Sequence, residues 1–161
     1  MRDLRRQDRK LSDADARRVL AESEYGFLST ISEDGSPYSV PMAGALVGDT
    51  IYFHSGKAGH KLDNLRRDDR ACYSCVLYAQ NEPSTLSMSY ASCVAEGRVR
   101  FVTDEEERQR AMRAIVEKYA PDELDNENYC RTMKVMPAVV ILAMELTGFQ
   151  GKANKGKLKE C

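Results

Sequence analysis

No run of apolar residues in this chain approaches the ~20 needed to cross a bilayer. The first residues, MRDLRRQDRKLSD, also lack the apolar centre of a secretion signal. Both absences point away from a membrane and toward a cytoplasmic protein. Neither charge sign is in excess: 24 Lys and Arg stand against 25 Asp and Glu, a formal net charge of −1. A polyanion-binding role, nucleic acid included, is therefore not expected. The five cysteines, at 72, 75, 93, 130 and 161, are an odd number and do not form an extracellular disulfide framework, so free thiols are expected. No GxGxxG follows any candidate strand, which removes the dinucleotide-binding signature, and there is no internal repeat or linker.

What is present is enough for one core. A chain of 161 residues fits one domain and buries roughly two-thirds of its unfolded surface. Ser12 followed by Asp13, Ala14 and Asp15 predicts an N-capped amphipathic helix to about Glu22. GFLSTIS and YSVPMAGALV flank the turn EDGSP as a hairpin, and Gly48-Asp49 leads into a third strand, TIYFHS. The spacing of Leu62 and Leu65 predicts a short helix starting near Ala58 or Gly59. ACYSCVLYA and SMSYASCVAEGRVRFV follow as strands, the second with a bend or bulge at Gly97. Thr103 to Glu106 is a capping-box pattern opening a helix that ends before Pro121. A weaker helix covers about 127–133, and AVVILAMEL reads as a strand buried on both faces. The expected architecture is α+β, mostly β: a six-stranded antiparallel barrel with peripheral helices. It would occupy residues 1–152, with a loose Lys/Gly-rich tail over 153–161.

Both histidines of the chain fall in HSGKAGHKLDNL, residues 54–65. A strand that ends in a glycine-containing loop and enters a helix presents unpaired backbone N–H groups at a positive dipole end, a place that favours anions. Lys57, His60 and Lys61 add charge there and Ser55 adds a hydroxyl, so a phosphorylated small molecule is the ligand to expect. The alternative is a set of ordinary solvated side chains at a helix start.

Four stretches, RRQDRKLSD, YGFLSTISEDGSPYSVPM, IYFHSGKAGHKLDNLRRD and SYASCVAEGRVRFVTDEEE, resemble the FMN-binding split-barrel proteins. The resemblance is to the nitroimidazole-resistance (Nim-type) branch, with pyridoxamine 5'-phosphate oxidase as a more distant relative, and it runs from about Arg5 to Lys152. It implies a homodimer of split barrels with two FMN sites across the subunit interface, and an oxidoreductase acting on a small organic acceptor such as a nitro-aromatic. His54-Ser55 stands where the oxidases carry a Tyr/Phe-Thr pair, and His60-Lys61 where they carry an Arg-Lys pair, both on the phosphate. The segment that lends backbone groups to the flavin aligns with VPMAGA, implicating Val40, Pro41 and Met42, with Val40 in place of an arginine. Ser92 aligns with a ring-contacting glutamine, and Lys152 is a candidate contact reaching across the dimer. Because related split barrels include heme binders, a non-catalytic module holding FMN, heme or a deazaflavin is the second reading, with His54 or His60 as iron ligand.

Other features read as structure. Cys72 and Cys75 form a CxxC, but residues three apart on a strand face opposite ways and no second pair completes a metal site. Tyr73, Tyr78 and Tyr90 read as core or interface packing, and Met88, Met112, Met133, Met136 and Met144 as interior gap-fillers. Alternation puts Ser29 and Thr30 on opposite faces, so at most one of them can meet a cofactor. The basic N-terminal arm is expected to pack on the barrel or on a second subunit.

Overall fold

Seven strands lie side by side in one antiparallel sheet in the computed structural model, which describes residues 1–124, 126–134, 138–154 and 158. They are β1 (Gly26–Ile31), β2 (Pro37–Met42), β3 (Ala45–Val47), β4 (Thr50–Ser55), β5 (Arg70–Glu82), β6 (Ser87–Phe101) and β7 (Val140–Ala153). Their spatial order is β2-β1-β5-β6-β7-β4-β3. Helices α1 (Asp13–Glu22), α2 (His60–Arg67), α3 (Glu105–Tyr119) and α4 (Glu127–Lys134) stand around the sheet.

The two edge strands fix the shape. β2 and β3 are at opposite edges, yet only Ala43 and Gly44 separate them in sequence. Three peptide steps reach about 11 Å, so the sheet must curl until its edges nearly meet. The result is a split barrel. It also corrects the expected strand count from six to seven, because YSVPMAGALV is not one strand but two, broken where the chain passes from one edge to the other. Gly44 makes that passage flush with the core: a Cβ there would sit 2.6 Å from a Phe53 ring carbon and 2.8 Å from an Ile51 methyl. Three long side chains hold the crossing. Tyr73 donates its hydroxyl to the Met42 carbonyl at 3.0 Å, while Lys118 and Tyr119 of α3 both donate to the Gly44 carbonyl, at 2.7 and 2.9 Å.

The barrel interior is filled by alternate residues of each strand, among them Leu28, Ile51, Phe53, Tyr73, Cys75, Cys93, Leu142 and Met144. Phe53 and Tyr73 meet edge to face at 5.2 Å. Val19 and Leu20 of α1 and Leu62 and Leu65 of α2 belong to the same cluster. On the other face of β7, Ile141 and Ala143 pack with Ala111 and Met112 of α3. The start of β7 is therefore buried on both faces, as its unbroken apolar run predicts.

Local details refine the sequence reading. Ser12 caps α1 by accepting from the Asp15 amide. The cap of α3 is Asp104, which accepts from the Glu107 amide, and not Thr103. Gly97 marks a register shift between β6 and β7, and a Cβ there would lie 2.3 Å from the Glu145 carbonyl oxygen. Strand β7 continues past Leu146 to Ala153, held by β6 and by the Leu11 amide, which donates to the Gly151 carbonyl. Met112 and Met144 are buried, but Met88 is 46% exposed and is no gap-filler. Met136, and residues 155–157 and 159–161 of the expected tail, lie outside the described residues. No helix among the described residues is long and apolar enough to cross a membrane.

Candidate functional site

Strand β4 ends at the barrel mouth. Its inward row is Ile51, Phe53 and Ser55, while His54 faces out and is exposed. Ser55 is 6% exposed, and its hydroxyl has no hydrogen-bond partner among the described residues. A buried hydroxyl without a partner costs about 1–3 kcal/mol, so a ligand atom that accepts from it or donates to it is favoured.

Four residues later the chain enters α2 through Gly59, whose φ of +136° is a conformation open to glycine. No side chain caps this helix. The Leu62 and Asp63 amides both donate to the Gly59 carbonyl, which leaves those of His60 and Lys61 unpaired among the described residues. Lys57 is exposed in the loop and Lys61 is half-buried. Neither has a carboxylate partner among the described residues. An orphaned buried hydroxyl, two free amides and two free ammonium groups within seven residues are a donor set that fits a phosphate.

His60 is held differently. Its Nε2 lies 3.3 Å from the Ser32 hydroxyl, and its ring tilts against that of Tyr38 at 4.2 Å. With Ser32, Glu33, Asp34 and Ser36 it lines a shallow groove of about 450 Å³ at the β1–β2 turn. Two hydrogen bonds from Ser36 hold the Asp34 carboxyl below its usual range. His60 is thus braced between the turn and α2.

Residues Val40 and Met42 share the inward face of β2 with Leu28 and Gly26 of β1, whereas Pro41 faces out, opposite Phe27. Ser92 and Lys152 are directly opposite one another on β6 and β7. They stand at the far end of β7 from Ser55, which pairs with Val140. Twelve residue steps of β7 separate Val140 from Lys152, about 40 Å along the strand. The structure therefore gathers Ser55, Lys57, His60 and Lys61 into one place and Ser92 and Lys152 into another.

A model of the pyridoxamine 5'-phosphate oxidase family matches residues 12–153. The chain belongs to that family. Similar solved structures include a Bacteroides thetaiotaomicron protein named for 5-nitroimidazole antibiotic resistance, at 24% identity and TM-score 0.74, covering 88% of this chain and 83% of that one. A conserved hypothetical protein of Mycobacterium tuberculosis matches at 22% identity and TM-score 0.76, covering 99% and 96%. An FAD- and heme-binding protein of Mycobacterium smegmatis matches at 18% and 0.72, covering 96% and 77%. These likenesses establish the split-barrel fold that the family shares. No curated protein sequence matches the chain.

The remaining features of this family member are accounted for by packing. Cys72 faces out and Cys75 in, and Cys75 lies directly opposite Cys93 in the core. Burial raises the Cys75 thiol and pushes that of Cys93 up to about 12, which makes both poor nucleophiles. Thr30 is buried and accepts from the Asn64 amide of α2 at 3.0 Å, while Ser29 faces out toward Ser39. Ser29 also lines an outer-face groove of about 470 Å³ with Ile31, Cys72, Glu96, Arg98 and Thr147. Sequence reasoning did not find this groove, because its walls come from five strands whose outward residues follow no local pattern.

Proposed function

We propose that the chain is a cytoplasmic, homodimeric flavoprotein whose domain over residues 1–152 binds FMN and passes electrons from a reductant to a small organic acceptor, such as a nitro-aromatic. One observation carries the reading: the buried, unpartnered Ser55 hydroxyl beside the uncapped start of α2. Ser55, Lys57, His60 and Lys61 would hold the phosphate, and the backbone of Val40, Pro41 and Met42 would line the ring, with His54 at the lip. FMN, when bound, supplies the hydride and electron chemistry. The protein's part is to bind, orient and keep water from the buried side, where Leu62 and Leu65 already close the core.

Dimerisation is supported by the separation of the two residue groups. Ser92 and Lys152 can meet the same flavin as Ser55 only if they come from a second copy. The outward faces of β1, β5 and β6 suit such a contact, with Phe27 at 48%, Val76 at 51% and Val94 at 40% exposure. The purified protein is expected to run as a dimer, to be yellow with flavin absorption, and to bleach when NADH or NADPH is added without oxygen. A colourless protein that takes up no added FMN would overturn the reading.

A second reading is a non-catalytic module that holds FMN, heme or a deazaflavin for storage or sensing. It draws on His54, whose imidazole is exposed and unpartnered among the described residues. A Soret band, or bound flavin that no donor bleaches, would favour it.

Replacing Ser55 by alanine separates ligand binding from folding. Ser55→Ala removes a hydroxyl that nothing among the described residues satisfies, so the ligand-free protein is expected to be as stable as the parent, or up to about 1–3 kcal/mol more stable. FMN affinity is expected to fall severalfold. Urea unfolding and an FMN titration on the same variant check both signs, and unchanged FMN affinity would remove Ser55 from the site.

A further inference from the structure

At the end of β7 remote from Ser55 the outer face carries a concentration of positive charge. Lys10 pairs with Lys152 as an isolated antiparallel bridge, and Lys152 in turn pairs with Ser92. Directly opposed residues share a face with their Cβ atoms about 5 Å apart, and like charges so placed repel. Lys152 also lies 5.8 Å over the ring of Tyr90, whose hydroxyl accepts from Arg9 at 3.2 Å. Two cations thus contact one tyrosine, and a third, Lys10, lies opposite one of them. None of the three has a carboxylate partner among the described residues. The nearby Asp8 is taken by Arg6, whose hydrogen bonds hold its carboxyl down at about 2.

We infer that Arg9, Lys10 and Lys152, with the hydroxyls of Tyr90 and Ser92, form a second anion site that takes the phosphate of an organic ligand. Three cations and two hydroxyls match the charge and the several acceptor oxygens of a phosphate better than those of a single carboxylate. Within one subunit the site lies at the opposite end of β7 from the start of α2, and in the proposed dimer the two flank the same flavin. It depends on the flavin reading only for the source of the phosphate. That source is either the second phosphate of a flavin dinucleotide held across the dimer or the phosphate of a phosphorylated nicotinamide reductant.

The test uses the full-length protein and Arg9→Gln/Lys10→Gln, which leaves every residue assigned to FMN in place. Inorganic phosphate and pyrophosphate are titrated calorimetrically into protein saturated with FMN, whose α2 site is already filled, at low and at moderate salt. Binding to the parent that weakens with salt, and that falls tenfold or more in the variant, is expected. FAD is then compared with FMN, and NADPH with NADH. A preference for FAD that the variant loses assigns the phosphate to the flavin, and a lost preference for NADPH assigns it to the reductant. Absence of phosphate binding to the parent, or equal binding by the variant, overturns the site even if FMN binds normally. Phosphate binding that the variant loses, in a protein that takes up no FMN, would instead sink the flavin reading and leave this site standing. Circular dichroism of the variant checks that it is folded.

Discussion

Replacing His60 and Lys61 together by alanine is expected to weaken FMN binding by tenfold or more, with little change in the fold. Each charge-assisted hydrogen bond to a phosphate contributes about 1.5–3 kcal/mol, and about 1.4 kcal/mol is a factor of ten. The first two residues of α2 therefore have more than enough leverage. The amides of His60 and Lys61 survive the substitution, so some affinity remains. Stability should fall little, because Lys61 has no partner in the chain among the described residues and His60 is exposed, with one 3.3 Å contact to Ser32 and one ring contact to Tyr38. The two side chains separate by their single variants. Lys61→Ala removes a free ammonium and should act on affinity alone, whereas His60→Ala also loosens the β1–β2 turn. Equilibrium dialysis against FMN and a thermal melt of the three variants distinguish these effects. Unchanged FMN retention in the double variant would remove the phosphate from α2.

The strands were legible because apolar alternation is a local signal: β1, β4, β5 and β6 lie where the period-two pattern puts them. The break at Ala43-Gly44 was not. Both residues are small enough to continue a strand, and only the pairing of β2 with β1 and of β3 with β4, at opposite sheet edges, forces them apart. The end of β7 was missed for a related reason. GFQGKA carries little apolar pattern, and it is held in the sheet by pairing with β6 and by the Leu11 amide, contacts distant in sequence. At the site, the inward position of Ser55 follows from alternation with Phe53 and Ile51. Its lack of a partner, however, is a property of everything around it. The bracing of His60 by Ser32 and Tyr38, and the opposition of Lys10 to Lys152, join residues that no window of sequence contains.

Gly44→Ala is expected to destabilise the protein by about 1–3 kcal/mol, the range for overpacking a filled core, and more if the crossing carbonyl is displaced. The added methyl meets Phe53 at 2.6 Å and Ile51 at 2.8 Å. Both are essentially inaccessible to solvent, and Phe53 is further fixed against Tyr73, so neither can yield cheaply. Relief has to come from the backbone, which would draw the Gly44 carbonyl away from Lys118 and Tyr119. Lys118 is half-buried, and desolvation already lowers its pKa. Without its acceptor, that ammonium would be left partly buried and unpaired. A companion variant separates the two costs. Lys118→Met keeps the apolar stem and removes the charge, while Tyr119 still donates to the carbonyl, so its loss should be smaller than that of Gly44→Ala. Combined, the two changes should cost less than their sum, because the methionine variant no longer has an ammonium to strand. Urea denaturation of the four proteins measures this coupling. Full additivity would mean that the crossing between β2 and β3 is closed by packing against Phe53 and Ile51 alone, with no contribution from the α3 cation.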